Sequence, residues 1–366
     1  MCRFVVYASS CSAPVLLADL LTRPAHSIIK QSYACRERHE GPSPQLNGDG
    51  FGVGWYSVRQ SPSASLLPTA TTISSSSSSS SSSFSPSVSS SASTKDMIVV
   101  DLEAVEPCIF NGVTPAWNNM NLHRLADKIQ STLIFAHVRA ATPGLPTTET
   151  NCHPFQFRKY LWMHNGMLSS FFQIKRRILR FLDDEIFSTI QGSTDSEHSF
   201  AVFLQLLKNS HTARMAERLA SDSLSAPAPP FWQVRFSTEH MHATVAETIK
   251  LLTQWEHEAG GTEASLLNFA VTDGRVVIAS RFSTKLGKEP ASLYFASGSS
   301  FERYQKGDYR MVQADRRTHC HLVASEPLTN DRCGRDWIPV PRNHLIVITP
   351  TSNLLQYAIC VDTPGC

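Results

Sequence analysis

Apolar residues along this chain recur with two different periods. Short runs such as FVVY (4–7), STLIFAHVRA (131–140) and KYLWMHNG (159–166) are β-branched or aromatic and end in polar residues, as half-buried strands do. GFGVGWYSV (50–58) alternates glycine with larger residues. SEHSFAVFLQLLKN (196–209) instead carries apolar residues at helical spacing, with Ser193, Thr194 and Asp195 just before it as capping material. VAETIKLLTQWEHE (245–258) predicts a second amphipathic helix. Beyond it the chain is strand-rich: LNFAVTDGRVVIASRF has Asp273-Gly274 at a hairpin position, and SLYFASG, HCHLVASEPL, HLIVITP and LLQYAI follow. Strands dominate both ends, helices lie between, and no regular strand–helix–strand alternation appears. The pattern predicts an α+β layered fold with antiparallel sheets.

Two stretches break these periods. Residues 61–95 are dominated by serine, cannot bury enough apolar surface to fold, and read as a disordered surface insertion. Residues 209–237, which contain SDSLSAPAPP, read as a long irregular loop.

Composition narrows the function classes. A formal net charge of +2 on 366 residues, with no basic stripe interleaved with aromatics, argues against nucleic acid or an anionic membrane surface as partner. No run of 18 apolar residues occurs, and the early FVVYASSCSAPVLLADLL is interrupted by Ser9-Ser10, Pro14 and Asp19, unlike a signal peptide. A cytoplasmic location is expected. The nine cysteines (2, 11, 35, 108, 152, 320, 333, 360, 366) form no C-x-x-C pair, which fits free thiols in a reducing compartment. His319-Cys320-His321 with Cys333 is a weak metal candidate, so neither metal nor cofactor is expected.

The candidate chemistry starts at Cys2. Removal of Met1 leaves a free α-amine beside a thiol, a nucleophile and a base on one residue. Arg139 closes a strand with Thr142 nearby, and a guanidinium fork suits a carboxylate or an ordinary surface ion pair. His164-Asn165-Gly166 offers a side-chain amide and a glycine N–H that could face one oxyanion, or a turn. His153, in Asn151-Cys152-His153-Pro154-Phe155, reads as a satisfied histidine ordering its loop. His164 reads as a supporting residue of the same kind. Asp195, within Gly192-Ser193-Thr194-Asp195-Ser196-Glu197, is either a helix cap or the acceptor of a substrate ammonium. Asn47-Gly48-Asp49-Gly50-Phe51-Gly52 does not complete a G-x-G-x-x-G cofactor loop. Together these groups suit acyl transfer at the γ-carbonyl of a glutamyl group held by its α-amino-acid end.

In the order Cys2, NGDGFGVGW, HVRAAT, NCHPF, HNG and STDSE the chain resembles the class II glutamine amidotransferases, of the N-terminal-nucleophile (Ntn) hydrolase fold. LLTRPAHSIIKQS (20–32), ASLYFASGSSFE and VASEPLT are closer still to the amidotransferase-like branch of the fungal glutathione-degradation complex. The resemblance implies an αββα sandwich, two antiparallel sheets between helical layers, as one domain over residues 2–366. It makes Cys2 the nucleophile and its α-amine the base, Asn165 and Gly166 the oxyanion hole, Arg139 with Thr142 the carboxylate clamp, and Asp195 the ammonium acceptor. Ala140 stands where the family often has an aromatic residue.

The implied activity is hydrolysis of a γ-glutamyl amide, with glutathione giving glutamate and Cys-Gly, beside a metallopeptidase-like protein partner. A glutaminase subunit feeding a separate synthase, a γ-glutamyl hydrolase of thiol biosynthesis, an Ntn peptidase, and a non-catalytic scaffold that retains Met1 stay open. Because 61–95 lies outside every motif, joining Gln60 to Asp96 through a short linker should leave the specific activity of the soluble protein unchanged. A large fall in that activity contradicts the insertion reading.

Overall fold

The computed structural model describes residues 2–10, 14–37, 46–57, 99–100, 105–141, 144, 146–220, 228–305, 307–314, 318–329 and 336–361. The serine-rich stretch 61–95 lies outside them. The strands of its two main sheets are β1 (Arg3–Ser9), β2 (Phe51–Trp55), β3 (Cys108–Gly112), β4 (Leu133–Val138), β5 (Phe155–Phe157), β6 (Tyr160–Met167) and β7 (Leu266–Thr272). They continue with β8 (Val277–Arg281), β9 (Tyr294–Gly298), β10 (Cys320–Ala324), β11 (Ile338–Pro339), β12 (His344–Ile348) and β13 (Leu354–Ala358). The first sheet runs β11-β9-β10-β1-β4-β2-β3 and the second β13-β12-β8-β7-β6-β5, and neighbouring strands in both pair antiparallel. The fold is mixed α/β built on antiparallel sheets.

The helices are α1 (Ala18–Leu21), α2 (Ile28–Gln31), α3 (Met120–Ala126), α4 (Phe171–Phe181), α5 (Asp184–Phe187), α6 (Asp195–Ala220) and α7 (Thr238–Glu258). Strand parity explains why FVVY and YLWM read as unbroken apolar runs. Successive side chains leave opposite faces of a strand, so a strand covered on both sides must be apolar throughout. On β1, Val5 and Tyr7 pack with residues of α1, α2 and α3, whereas Phe4, Val6 and Ala8 pack with Leu161 and Met163 of β6 and Ala270 of β7. On β6 the other parity, Tyr160 and Trp162, packs with α4, α6 and α7. Trp162 is fully buried, with Phe269, Phe203 and Phe200 rings 4.5, 5.5 and 5.7 Å away. Each such side chain taken from water stabilises the fold by about 1.5–3 kcal/mol.

Helix α6 follows the predicted start and overruns the predicted end. Thr194 Oγ1 accepts the Glu197 N–H at 3.3 Å, so threonine among the three candidates is the cap. The helix then continues to Ala220. The expected loop at 209–237 is therefore corrected: 209–220 are helical, 221–227 lie outside the described residues, and Phe231–Gln233 form a 3₁₀ turn before Val234–Arg235 pair with Val99–Val100. Ala213, Arg214, Met215, Ala216, Glu217, Arg218 and Leu219 are strong helix formers, and this local preference outweighs the polar composition that suggested a loop. Asp273-Gly274 does sit in the β7–β8 turn: Asp273 Oδ1 accepts the N–H groups of Arg275 and Val276 at 3.0 and 2.9 Å.

Glycine in β2 lets the two sheets meet near the loop that carries His153. A Cβ on Gly52 would run into Asn111 Oδ1 and the His153 carbonyl oxygen. Gly52→Ala should therefore destabilise the protein by at least about 2 kcal/mol, because a backbone atom cannot yield as a side chain can. Urea unfolding measures it, and a midpoint equal to that of the unaltered protein contradicts the close approach.

Candidate active site

The start of β1 lies in the middle of the first sheet, held between β10 and β4. Cys2 is half-buried at that start, and the register sets Arg3 opposite Val138, which brings Cys2 to the chain leaving β4. The Ala140 N–H donates to Cys2 Sγ at 3.3 Å, and the thiol faces the Ala140 carbonyl at 3.5 Å. Burial pushes the thiol pKa up, while the Ala140 N–H and the charges of Arg139 and Arg3 pull against it.

What fixes Cys2 is Arg3. Its Nη1 donates to the Cys2 carbonyl at 2.9 Å, and its Nε pairs with Glu326 Oε1 at 2.9 Å. Glu326 is fully buried and also meets His26 Nε2 at 2.6 Å and the N–H groups of Arg36 and Glu37 at 2.9 and 3.1 Å. Burial alone would raise its pKa, but the His26 hydrogen bond, the Arg3 charge and the Arg36 N–H hold it down to about 2.

Arg139 leaves β4 beside Cys2 and is buried, at 3% exposure. Its N–H donates to the Gly50 carbonyl at 2.8 Å, and its own carbonyl accepts the Asp49 N–H at 3.1 Å. Asp49 Oδ2 takes the Ala141 N–H at 2.8 Å, so the NGDG turn grips the arginine segment from both sides. The guanidinium makes one long bond, 3.5 Å to the Asp49 carbonyl, and no carboxylate among the described residues pairs with it. A buried cation without a counter-ion carries a desolvation cost that an anionic ligand would relieve. Thr142 lies outside the described residues.

Asn165 and Gly166 are strand residues, not a turn: in β6 they pair with Asn268 and Leu267 of β7. A Cβ on Gly166 would collide with the Leu266 carbonyl oxygen, so the ladder here admits glycine alone. The Asn165 amide reaches Ser325 Oγ at 3.1 Å at one end and is buried without a partner at the other.

Three buried histidines join the sheets behind these groups. His137 Nε2 donates to the His164 carbonyl at 3.1 Å, tying the strand of Arg139 to that of Asn165. His164 Nε2 donates to the Leu266 carbonyl and its Nδ1 accepts from Ser196 Oγ, both at 2.9 Å. Burial lowers the pKa of all three, that of His137 to about 3, so they are neutral near pH 7. His153 departs from the expected hydrogen-bonded histidine: neither ring nitrogen has a partner, and the ring is held by the faces of His137 and Phe155, with centroids 4.1 and 4.7 Å away.

Asp195 closes the arrangement as the first residue of α6. Its Oδ2 accepts the Leu168 N–H at 2.7 Å and its Oδ1 the Ser196 N–H at 2.9 Å. It is thus a structural acceptor that ties the exit of β6 to α6, with carboxylate lone pairs remaining for an ammonium. Through Ala140, His137, His164 and Ser196, one chain of hydrogen bonds and adjacent residues links Cys2, Arg139, Asn165 and Asp195. Among the described residues no group of three or more His, Cys, Asp or Glu side chains could hold a metal ion, and no helix is long and apolar enough to cross a membrane.

The chain as a whole has counterparts among known proteins. Residues 114–229 match the family model described as class II glutamine amidotransferases. A probable glutamine amidotransferase of Saccharomyces cerevisiae, DUG3, is 40% identical over 97% of this chain and 84% of its own length. The chain belongs to the class II glutamine amidotransferases. It is an enzyme of the amidotransferase-like hydrolase kind. At 25% identity, over 46% of this chain and 52% of its own, it is similar to the gamma-glutamyl-hercynylcysteine sulfoxide hydrolase of Mycolicibacterium smegmatis. Among solved structures, a class II glutamine aminotransferase domain protein of Silicibacter pomeroyi superposes with a TM-score of 0.51 at 20% identity, over 98% of this chain and 99% of that one. An allosteric regulatory enzyme of purine biosynthesis gives 0.50 at 12% identity, over 99% of this chain and 50% of that one. These two likenesses are of fold.

Reading the sequence passed over Arg3, Ser325, Glu326 and Asp49 as site residues. Ser325 and Glu326 lie in VASEPLT, His26 in RPAHSIIKQS and Asp49 in NGDG, stretches that carried resemblance without these roles, and Arg3 had no signal until the fold brought it to His26 and Glu326. Glu326 supplies a pH test. Its carboxyl titrates near 4.3 in an unfolded chain and near 2 when folded. A folded-state pKa below the unfolded one gives stability that is complete above about 4.3 and lost as pH falls through about 2, on the order of 3 kcal/mol. Glu326→Gln should remove that contribution at pH 7 and flatten the unfolding free energy between about pH 4.3 and 2. Denaturant unfolding across this range checks it, and an unchanged acid limb contradicts the assignment.

Proposed function

We propose that the protein hydrolyses γ-glutamyl amide bonds through a γ-glutamyl thioester on Cys2, with glutathione as substrate and glutamate and Cys-Gly as products. The observation that carries this reading is Arg139, a buried guanidinium without a carboxylate partner beside the thiol. A free α-carboxylate fits that fork, and Asp195 is the acceptor for the neighbouring α-ammonium. The burial of β1 and β6 on both faces, with helices against the outer sides, supports the four-layer αββα arrangement of Ntn hydrolases in a single domain spanning 2–366. The serine-rich 61–95 segment is its surface insertion.

The chemistry follows from the pKa direction. Burial keeps the Cys2 thiol protonated near neutrality, so it needs a base, and an α-amine of pKa about 7.7–8.0 supplies one on the same residue once Met1 is removed. Sulfur attacks the γ-carbonyl while the amine takes the thiol proton, directly or through water. The oxyanion is received by the Asn165 amide and the Gly166 N–H. Collapse expels the Cys-Gly amine, which takes the proton, and water then hydrolyses the thioester to glutamate. His153 and His164, neutral, shape the wall behind these groups. No cofactor enters the scheme. The resemblance to the glutathione-degradation branch adds a metallopeptidase-like subunit that would consume Cys-Gly, and a cytoplasmic setting where glutathione is abundant.

Processed protein, with and without candidate partners, should release Cys-Gly from glutathione faster than ammonia from glutamine, and Cys2→Ala should release neither. Ammonia at a comparable rate moves the assignment to a glutaminase subunit, and intact mass showing Met1 on active protein removes the mechanism. Arg139→Lys keeps the charge but loses the fork, and Asp195→Asn removes the ammonium's charge partner. Each should lower kcat/KM about ten- to a hundred-fold, equally for both substrates, because both residues act on the shared glutamyl half. Since Asp195 also accepts the Leu168 N–H, a melting curve accompanies that variant. Selective loss of one substrate overturns the clamp.

A further inference from the structure

Ser325 stands where the nucleophile strand and the oxyanion strand come closest to sharing one atom. It is fully buried, just after β10. Its N–H donates to the Phe4 carbonyl at 3.0 Å, and its carbonyl accepts from Ser292 Oγ at 2.8 Å, so its backbone is fixed on both sides. Its hydroxyl accepts the Phe4 N–H at 3.0 Å and meets the Asn165 amide at 3.1 Å. Phe4 lies two residues from Cys2 on β1, and Asn165 belongs to the facing sheet.

The hydrogen-bond inventory decides which way the amide points. With the Asn165 nitrogen turned to Ser325, the hydroxyl receives two N–H groups and its own proton has no acceptor among the described residues. Asn165 Oδ1 is then buried with no donor. Half a turn of the amide changes both. The Ser325 O–H donates to the Asn165 oxygen, the Phe4 N–H still donates to Ser325, and the Asn165 NH₂ occupies the unpartnered side. A buried donor without a partner is what an oxyanion site presents before substrate arrives.

We propose that Ser325 is the positioning residue of the oxyanion site, its hydroxyl holding the Asn165 side-chain oxygen so that the NH₂ faces the reacting carbonyl. The proposal rests on the reading of Asn165 as oxyanion donor given above. Ser325 touches no substrate. It acts through Asn165, and it sets that donor at a fixed height relative to Cys2 because the same hydroxyl is anchored on β1.

Glutamine hydrolysis by the processed full chain tests it, with four variants. Losing an oxyanion donor typically costs 10²–10³-fold in kcat, and a donor left free to rotate should lose part of that. Ser325→Ala should lower kcat about tenfold or more with KM little changed, and Ser325→Cys, which keeps the volume and a weak donor, should fall between. Ser325→Ala combined with Asn165→Ala should be no slower than Asn165→Ala alone. Alkylation of Cys2 by iodoacetamide, followed on the N-terminal peptide by mass spectrometry, needs no oxyanion hole and should keep its rate in Ser325→Ala. Independent, multiplying losses in the double variant, or alkylation slowed as much as kcat, would place the role on the Phe4 side and overturn the proposal. If Asn165→Ala is slow while Ser325→Ala keeps its kcat, the Ser325 proposal falls and the oxyanion reading stands. If Asn165→Ala itself keeps its kcat, the oxyanion reading falls and takes this one with it.

Discussion

The buried carboxylate of Glu326 holds the start of β1, next to Cys2, through Arg3. Chain termini usually fray, because few contacts tie them down. Here Cys2 is fixed by Arg3, whose Nη1 holds the Cys2 carbonyl and whose Nε pairs with Glu326, 323 positions further along the chain. A buried ion pair is weak evidence of net stabilisation, since desolvation offsets its Coulomb gain. Its value lies in geometry: His26 and two backbone N–H groups complete the carboxylate, which leaves one arrangement for Arg3.

A second constraint follows from the central place of β1. Cys2 lies against β4, while the Asn165 amide comes from the other sheet. The apolar contacts between the sheets bring them together but do not fix their relative position along the strands. Directional bonds do that, from His137 to the His164 carbonyl and from Ser325 to Phe4 and Asn165. Neutral histidine suits such a post. A charged ring at His137, walled in beside Arg139, would carry both desolvation and like-charge repulsion, and its pKa of about 3 records this.

Periodicity made the frame legible in advance. Runs buried on both faces, the Thr194 region and the Asp273-Gly274 turn all act within a few residues, where local pattern is informative. Motif position was legible for the same reason: HVRA and HNG lie at the ends of β4 and β6, and STDSE opens α6. The overrun of α6 was hidden because composition was weighed above helix propensity across 209–220. Arg3 and Glu326 were hidden for a deeper reason: a lone arginine and a lone glutamate at opposite ends of a sequence look like surface charges until folding buries them together. His153 misled in the opposite way. It read as a satisfied histidine ordering its loop, yet its ring packs between the faces of His137 and Phe155.

If Cys2 carries both base and nucleophile, as proposed above, this remote anchoring becomes a catalytic matter. The α-amine and the thiol keep nearly the same distance from each other in any backbone conformation, so the protein need not assemble that pair. On the proposed mechanism, what it must set is the direction of the pair toward a carbonyl held by Arg139, Asp195 and Asn165. Those three stand on the exit of β4, the start of α6 and the end of β6, and Cys2 immediately precedes β1. A displacement near 1 Å between reacting atoms can cost about a hundred-fold in rate. Residues that never meet substrate, Glu326 and Ser325 among them, are therefore where sequence change should alter turnover without altering what is bound.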